Sequence, residues 1–169
     1  RIGLHPIIRR TWAPKGERPT ASLYRRFQWK HVFSFVHPAI GNTFWIIADT
    51  VNIEMMQLVL NSFAKTHNPG NKKIIILLVD QAGWHMSKKL MLPKGIRLFP
   101  LPPATPELQP AECIFPLVRA HIANRTIKDM DELLKLLDER CLELSEQPDV
   151  VKGAAGFDWV LRAEKYRRD

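Results

Sequence analysis

The feature that most constrains the fold is an unbroken run of six aliphatic residues, Ile74–Val79, that ends on a carboxylate, Asp80. A strand with one wet face alternates apolar and polar residues, so an unbroken aliphatic run bounded by turn signals reads as a strand buried on both faces. From Lys73 to Val79 the chain is therefore expected to form the central strand of a sheet. The run is far shorter than the roughly 20 residues that cross a bilayer. No charged, apolar, small-residue leader opens the chain, so the run is assigned to a soluble core and no membrane partner is expected.

The neighbouring segments supply the rest of a sheet. Aromatic and β-branched residues alternate with polar ones from Ser22 to Val36, His37–Asn42 reads as a turn, and Thr43–Ala48 reads as a second strand, which predicts an antiparallel hairpin. Asn52 is expected to cap a helix in which Met55, Met56, Val59, Leu60 and Phe63 recur at helical spacing as far as Lys65, closed by Asn68-Pro-Gly-Asn71. Pro6, Pro14, Gly16 and Pro19 punctuate the first segment into a loop or hairpin, with Arg9–Trp12 as one short strand.

Downstream, Ser87–Met91 reads as a short helix and Ile96–Leu101 as a strand. Seven of the 13 prolines fall between Pro93 and Pro116, so Pro100–Pro110 is expected to be an extended loop. A helix starting at Pro110 or Ala111 and ending near Ala123 should be kinked or delayed by Pro116. Asp129–Ser145 is a strongly amphipathic helix, and Phe157–Tyr166 is a last short segment. Strands, a helix, a buried strand and further helices make the fold class α/β, a mixed sheet covered by helices. At 169 residues, 46% of them hydrophobic, the chain is expected to be a single domain.

The formal charge of +8 is unevenly spread. Arg1, Arg9, Arg10, Lys15, Arg18, Arg25, Arg26 and Lys30 face only Glu17 within the first 31 residues, whereas Lys128–Glu146 is net acidic. A local basic excess favours a polyanion partner. Arg9, Arg10, Lys15, Arg18, Arg25 and Arg26, interleaved with Trp12 and Trp29, would form a track that grips DNA phosphates without reading bases. The bland reading of Arg25, Arg26 and Lys30 is a solvated strand face. Cys113 and Cys141 allow at most one bridge and match no zinc spacing, which fits a reducing, cytoplasmic setting. His5, His31, His37, His67 and His121 show no metal-ligand spacing.

Two carboxylates stand out. Asp80 ends the most apolar strand, where open α/β sheets place their ligands, and an acid there needs donors or a cation to offset its desolvation. A turn-forming Asp is the equally weighted structural alternative. Glu112 is delivered by the proline-rich loop onto the first turn of a helix. Taken alone, it reads as a favourable charge on the helix dipole, worth under about 1 kcal/mol when exposed.

Taken together, these segments carry a family resemblance. Val79-Asp-Gln-Ala-Gly-Trp-His85 resembles the second-aspartate motif of the DDE transposases, in the mariner-like bacterial insertion-sequence branch. Leu101-Pro-Pro-Ala-Thr-Pro-Glu-Leu-Gln-Pro-Ala-Glu112 resembles that branch's third-acid motif, and Arg9-Arg-Thr-Trp-Ala-Pro-Lys-Gly-Glu-Arg-Pro19 resembles the stretch that follows its first acid. The resemblance implies an RNase H-like fold, a mixed five-stranded sheet with helices on its faces. It also implies Asp80 and Glu112 as catalytic residues, each holding one of two Mg²⁺ or Mn²⁺ ions. The implied activity is hydrolysis of DNA at transposon ends and joining of the freed 3′-hydroxyl to target DNA, with a homodimer as an open option. Gln81 and Gln109 stand where the family usually has Asn, and with His85 they are candidates for a supporting shell.

The family's first acid lies a few residues before the segment equivalent to Arg1-Ile-Gly-Leu4. A chain opening on Arg1 is therefore expected to lack that acid, the first strand and the upstream helix-turn-helix region, and to cleave DNA weakly or not at all. Asp49 follows the second hairpin strand and matches no motif, so it is not taken as the first acid. The rival reading is a non-catalytic remnant that binds nucleic acid or protein through the same fold. Another RNase H-like nuclease is disfavoured by the proline-rich third-acid motif.

Overall fold

The computed structural model describes residues 1–20 and 26–165. Its scaffold is the expected hairpin, paired antiparallel with Val32 opposite Ile47 and Phe35 opposite Phe44, but the first strand is shorter than the expected Ser22–Val36. β2 is Trp29–His37, residues 26–28 are not in a strand, Ser22 to Arg25 lie outside the described residues, and β3 is Asn42–Ala48. Gly41 closes the turn at φ 77°, and a Cβ there would lie 2.0 Å from the Pro148 carbonyl oxygen, so only glycine lets the turn seat on the start of α4 (Pro148–Ala155). The expectation of a missing first strand is corrected in part: β1 (Ile2–Gly3) pairs antiparallel with the start of β2 as a two-residue strand at the edge of the sheet.

Alternation along the hairpin divides the molecule into layers. Val32, Val36, Trp45 and Ile47 point to a core shared with α2 (Pro110–Ile122), α3 (Met130–Ser145) and α4. Phe33, Phe35 and Phe44 point to the opposite core, formed with α1 (Ile53–His67) and the second sheet. The period of two in a strand makes one hairpin the wall between two cores. The second sheet is β4 (Ile75–Val79) and β5 (Ile96–Pro100), parallel, with Leu77 opposite Leu98.

α1 begins where expected, the Asn52 side chain accepting the Met55 N–H at 2.7 Å. At its far end buried Asn68 donates to the Lys73 carbonyl at 2.8 Å and accepts the Lys73 N–H at 2.9 Å, which turns the chain into β4. The latch needs Gly95, at φ 84°, because a Cβ there would meet Asn68 Nδ2 at 2.4 Å.

Several expectations are corrected. β4 is not buried on both faces: Ile75 and Leu77 pack on the α1 side, while Ile76 is 63% and Phe99 of β5 is 56% exposed. An aliphatic run records that a strand is apolar, not how many helical layers cover it; α2, α3 and α4 lie over β1–β3 instead. Nor is β4 central among the described residues, where it pairs only with β5. Ser87–Met91 is a turn rather than a helix, because Gln57 of α1 takes both backbone groups of Met91, accepting its N–H at 2.8 Å and donating to its carbonyl at 2.7 Å. Arg9–Trp12 forms no strand. α2 starts at Pro110, as expected, and runs on through Pro116, which does not delay its start. α3, capped by Asp129, falls where expected. The last short segment, expected over Phe157–Tyr166 without an element type, is the helix α5 (Asp158–Lys165), Tyr166 lying outside the described residues, and α4 is not among the elements expected from the sequence. Its signal was Pro148 at the first helical position.

Candidate active site

The strand ends and the proline loop assemble one pocket. The Leu101 N–H donates to the Val79 carbonyl at 2.8 Å, and Gln81 Nε2 donates to the Leu101 carbonyl at 3.0 Å, so β4 and β5 leave their sheet side by side. The loop then folds on itself: Thr105 Oγ1 donates to the Pro102 carbonyl at 2.7 Å, Ala104 takes φ 56°, and Pro106–Leu108 makes one 3₁₀ turn. Proline fixes φ at three of its positions, which removes most of the freedom a loop of this length would have. The Glu112 N–H donates to the Gln109 carbonyl at 3.0 Å as α2 starts on buried Pro110.

The result is a cavity of about 210 Å³ lined by Asp80, Gln81, residues 101–106, Gln109 and Glu112. Two carboxylates that are 32 positions apart in sequence thus line one cavity at the carboxyl end of a parallel strand pair. Gln81 and Gln109 line the same space, Gln81 with its amide committed to Leu101.

Asp80 is fixed by its own turn. Its Oδ1 accepts the Ala82 N–H at 3.1 Å and lies 2.7 Å from His85 Nδ1. Glu112 projects from the first turn of α2, exposed, and its side chain makes no hydrogen bond among the described residues.

Asp49 pairs with Lys30 at the end of the hairpin and does not line the cavity. Among the described residues no three His, Cys, Asp or Glu side chains form a metal-binding group. The two carboxylates that line the cavity, Asp80 and Glu112, are hard oxygen groups of the kind that Mg²⁺ and Mn²⁺ take in small number alongside water and phosphate.

The basic segment divides into a pinned base and a free tip. Arg9 Nη2 donates to the Pro116 carbonyl at 3.3 Å, and Arg26 Nη1 donates to the Lys128 carbonyl. Asn124, at φ 57° just beyond α2, holds the arm with three hydrogen bonds: its N–H to the Ile7 carbonyl at 2.9 Å, its Oδ1 to the Arg9 N–H at 2.8 Å and its Nδ2 to the Arg9 carbonyl at 2.9 Å. Asn124 was not foreseen from the sequence, although Asn is the residue after glycine most tolerant of this backbone conformation. Arg10, Lys15 and Arg18 are exposed, and Trp12 between them is 99% exposed. Trp29, by contrast, lies under the Arg1 guanidinium, 4.9 Å from its ring centre, and stacks with His5 at 6.1 Å. Arg25 lies outside the described residues.

Comparison with known proteins gives the family and the fold. Residues 1–134 match the family model of the DDE superfamily endonucleases. An uncharacterized protein of Sinorhizobium fredii, y4pE/y4sA, is 31% identical over 136 residues, which are 80% of this chain and 99% of that protein. Among solved structures, a Mos1 mariner paired-end complex with Mn superposes with a TM-score of 0.60 at 14% identity, over 98% of this chain and 53% of that one. A pre-cleavage Mos1 transpososome gives 0.58 at 16% identity, over 90% of this chain and 52% of that one. The chain spans about half the length of the Mos1 chains (52–53%), and at this identity the likeness establishes the mixed α/β, RNase H-like fold. No helix among the described residues is long and apolar enough to cross a membrane.

Proposed function

The chain belongs to the DDE superfamily endonucleases, and from that premise we propose that residues 1–169 act as a transposase catalytic-core domain in which Asp80 and Glu112 are two of the acids of a metal-dependent DNA phosphoryl-transfer site. The observation that carries this reading is that two motif carboxylates line one cavity at the end of β4. A divalent ion held there, Mg²⁺ or Mn²⁺, would polarise a phosphodiester and stabilise the leaving oxygen.

The chain's own residues supply placement. Gln81 ties the exits of β4 and β5, the prolines stiffen the approach to α2, and buried Pro110 sets the helix start that carries Glu112. Arg10, Lys15 and Arg18 offer cations to a DNA backbone, with Trp12 as an apolar surface beside them, and the Asn124 clamp holds that tip on the catalytic body. These contacts bind phosphate and carry no base readout. The substrates are transposon-end and target DNA. Free thiols at Cys113 and Cys141 fit a reducing, cytoplasmic setting.

The test is Mn²⁺ binding by the chain, read from the loss of the free-ion electron paramagnetic resonance signal, with Asp80→Ala and Glu112→Ala beside it. Binding that both variants weaken supports the reading. Binding indifferent to both, alongside intact affinity for duplex DNA, would establish the non-catalytic alternative.

A further inference from the structure

Resting on the reading of Asp80 as a metal-binding carboxylate, we propose that His85 is a positioning residue that holds the Asp80 side chain in one rotamer, engaging Oδ1 and leaving Oδ2 for the ion. Oδ1 receives two donors, the Ala82 N–H at 3.1 Å and His85 Nδ1 at 2.7 Å. Among the described residues, Oδ2 receives none. An ionised carboxylate only accepts hydrogen bonds, so Nδ1 carries the ring proton and shares it with the Asp80 carbonyl at 3.3 Å.

The five-residue spacing follows from the turn. Asp80 Oδ1 caps the Ala82 N–H, the His85 N–H donates to the Ala82 carbonyl at 2.9 Å, and the chain returns the imidazole to the carboxylate it started from. The two partners are unequal. The His85 side chain is 14% exposed and the Asp80 side chain 59%, and the Trp84 ring meets the imidazole edge-on at 5.9 Å. The ring set into the protein therefore fixes the carboxylate standing in the cavity. An exposed carboxylate without that contact samples several staggered rotamers, and an ion would have to order it on binding. A histidine orienting a carboxylate ligand is the reverse of the familiar arrangement, in which a carboxylate orients a histidine ligand, and the physical effect is the same.

The experiment has a metal-free readout and a metal readout, both on the full chain. Three-bond couplings to the Asp80 β-protons and Cγ report its χ1 distribution without any ion. A single rotamer is expected in the parent, averaging in His85→Ala, and recovery in His85→Asn, whose amide reaches the position of Nδ1. His85→Gln, whose amide reaches toward the position of Nε2, is expected to stay averaged. A single rotamer persisting in His85→Ala, or equal recovery in His85→Gln, overturns the proposal. Mn²⁺ affinity is then expected to fall about tenfold in His85→Ala and to return in His85→Asn. If Asp80→Ala abolishes binding while His85→Ala stays within about twofold of the parent, against the tenfold expected of a supporting partner, the proposal is overturned as well. If His85→Ala averages the rotamer but Asp80→Ala leaves Mn²⁺ binding intact, positioning stands and the metal reading of Asp80 fails.

Discussion

Asp80 and Glu112 line the same cavity, but different physics places them there. Asp80 is oriented by groups within five residues of itself, the Ala82 N–H and the His85 ring. Glu112 has no such local lock; it stands where α2 puts it, and α2 is held by Ile114, Val118 and Ile122 in a core shared with Leu133, Leu137 and Leu144 of α3. One acid is set by a turn, the other by a helix packing. Damage to the core should therefore displace Glu112 and leave the orientation of Asp80 intact.

The largest effect should come from Leu137→Ala, a fully buried position in that core, with a loss of about 2–5 kcal/mol in denaturant unfolding. Below its unfolding midpoint the variant should lose the Glu112 share of Mn²⁺ affinity and keep the single Asp80 rotamer. Averaging of that rotamer would break the distinction between the two acids. Next in size, Asp80→Ala and Glu112→Ala should each weaken Mn²⁺ binding at least about tenfold, about 1.4 kcal/mol. Calorimetric titration showing only one of them affected would mean that the cavity does not act as one site.

Gln81→Ala removes the donor to the Leu101 carbonyl, and about 1 kcal/mol of stability should go with it. Because Gln81 is the hinge between the turn and the loop, this variant should disturb both acids. In the basic arm, alanine at Arg10, Lys15 or Arg18 should lower the slope of log affinity for duplex DNA against log salt by about 0.9 for each phosphate that the replaced cation would neutralise. Alanine at Arg9, which donates to Pro116, should alter thermal stability more than that slope.

The smallest effect is a pH dependence on the α1 side. His67 packs against Phe44 and Phe63, and burial, then Lys73, hold its pKa below the usual 6.5. Folding therefore favours the neutral ring, so its contribution is complete above pH 6.5 and is lost as the pH falls through the lower folded value. His31 is shifted the same way, chiefly by burial. His67→Phe should flatten the fall of the thermal midpoint on acidification without touching the Asp80 rotamer.

Much of this was readable without coordinates where the determining contacts are local. Asn52 and Asp129 cap helices because a short side-chain acceptor needs only the next turn's N–H, and the hairpin follows from alternation and a turn. The Asp80–His85 spacing belongs to the same class. The reading fails where a distant group decides: Gln57 takes the backbone of Met91 and prevents a helix, and Asn124 captures Arg9, the first residue of the short strand expected over Arg9–Trp12. The uncovered face of β4 failed for the same reason, since the helices that would cover it are committed to the other sheet.

The sequence by itself determined the chemical inventory: an aliphatic strand ending on an acid, a proline-stiffened path to a second acid, and a basic first segment. Those follow from residue type and short spacing, which act over one turn or one strand. Only the tertiary structure decided that the two acids share a cavity, that Asp49 is spoken for by Lys30, and that the arm has a pinned base and a free tip. Such facts depend on contacts between residues tens of positions apart, whose closure is governed by the burial of whole helix and sheet faces.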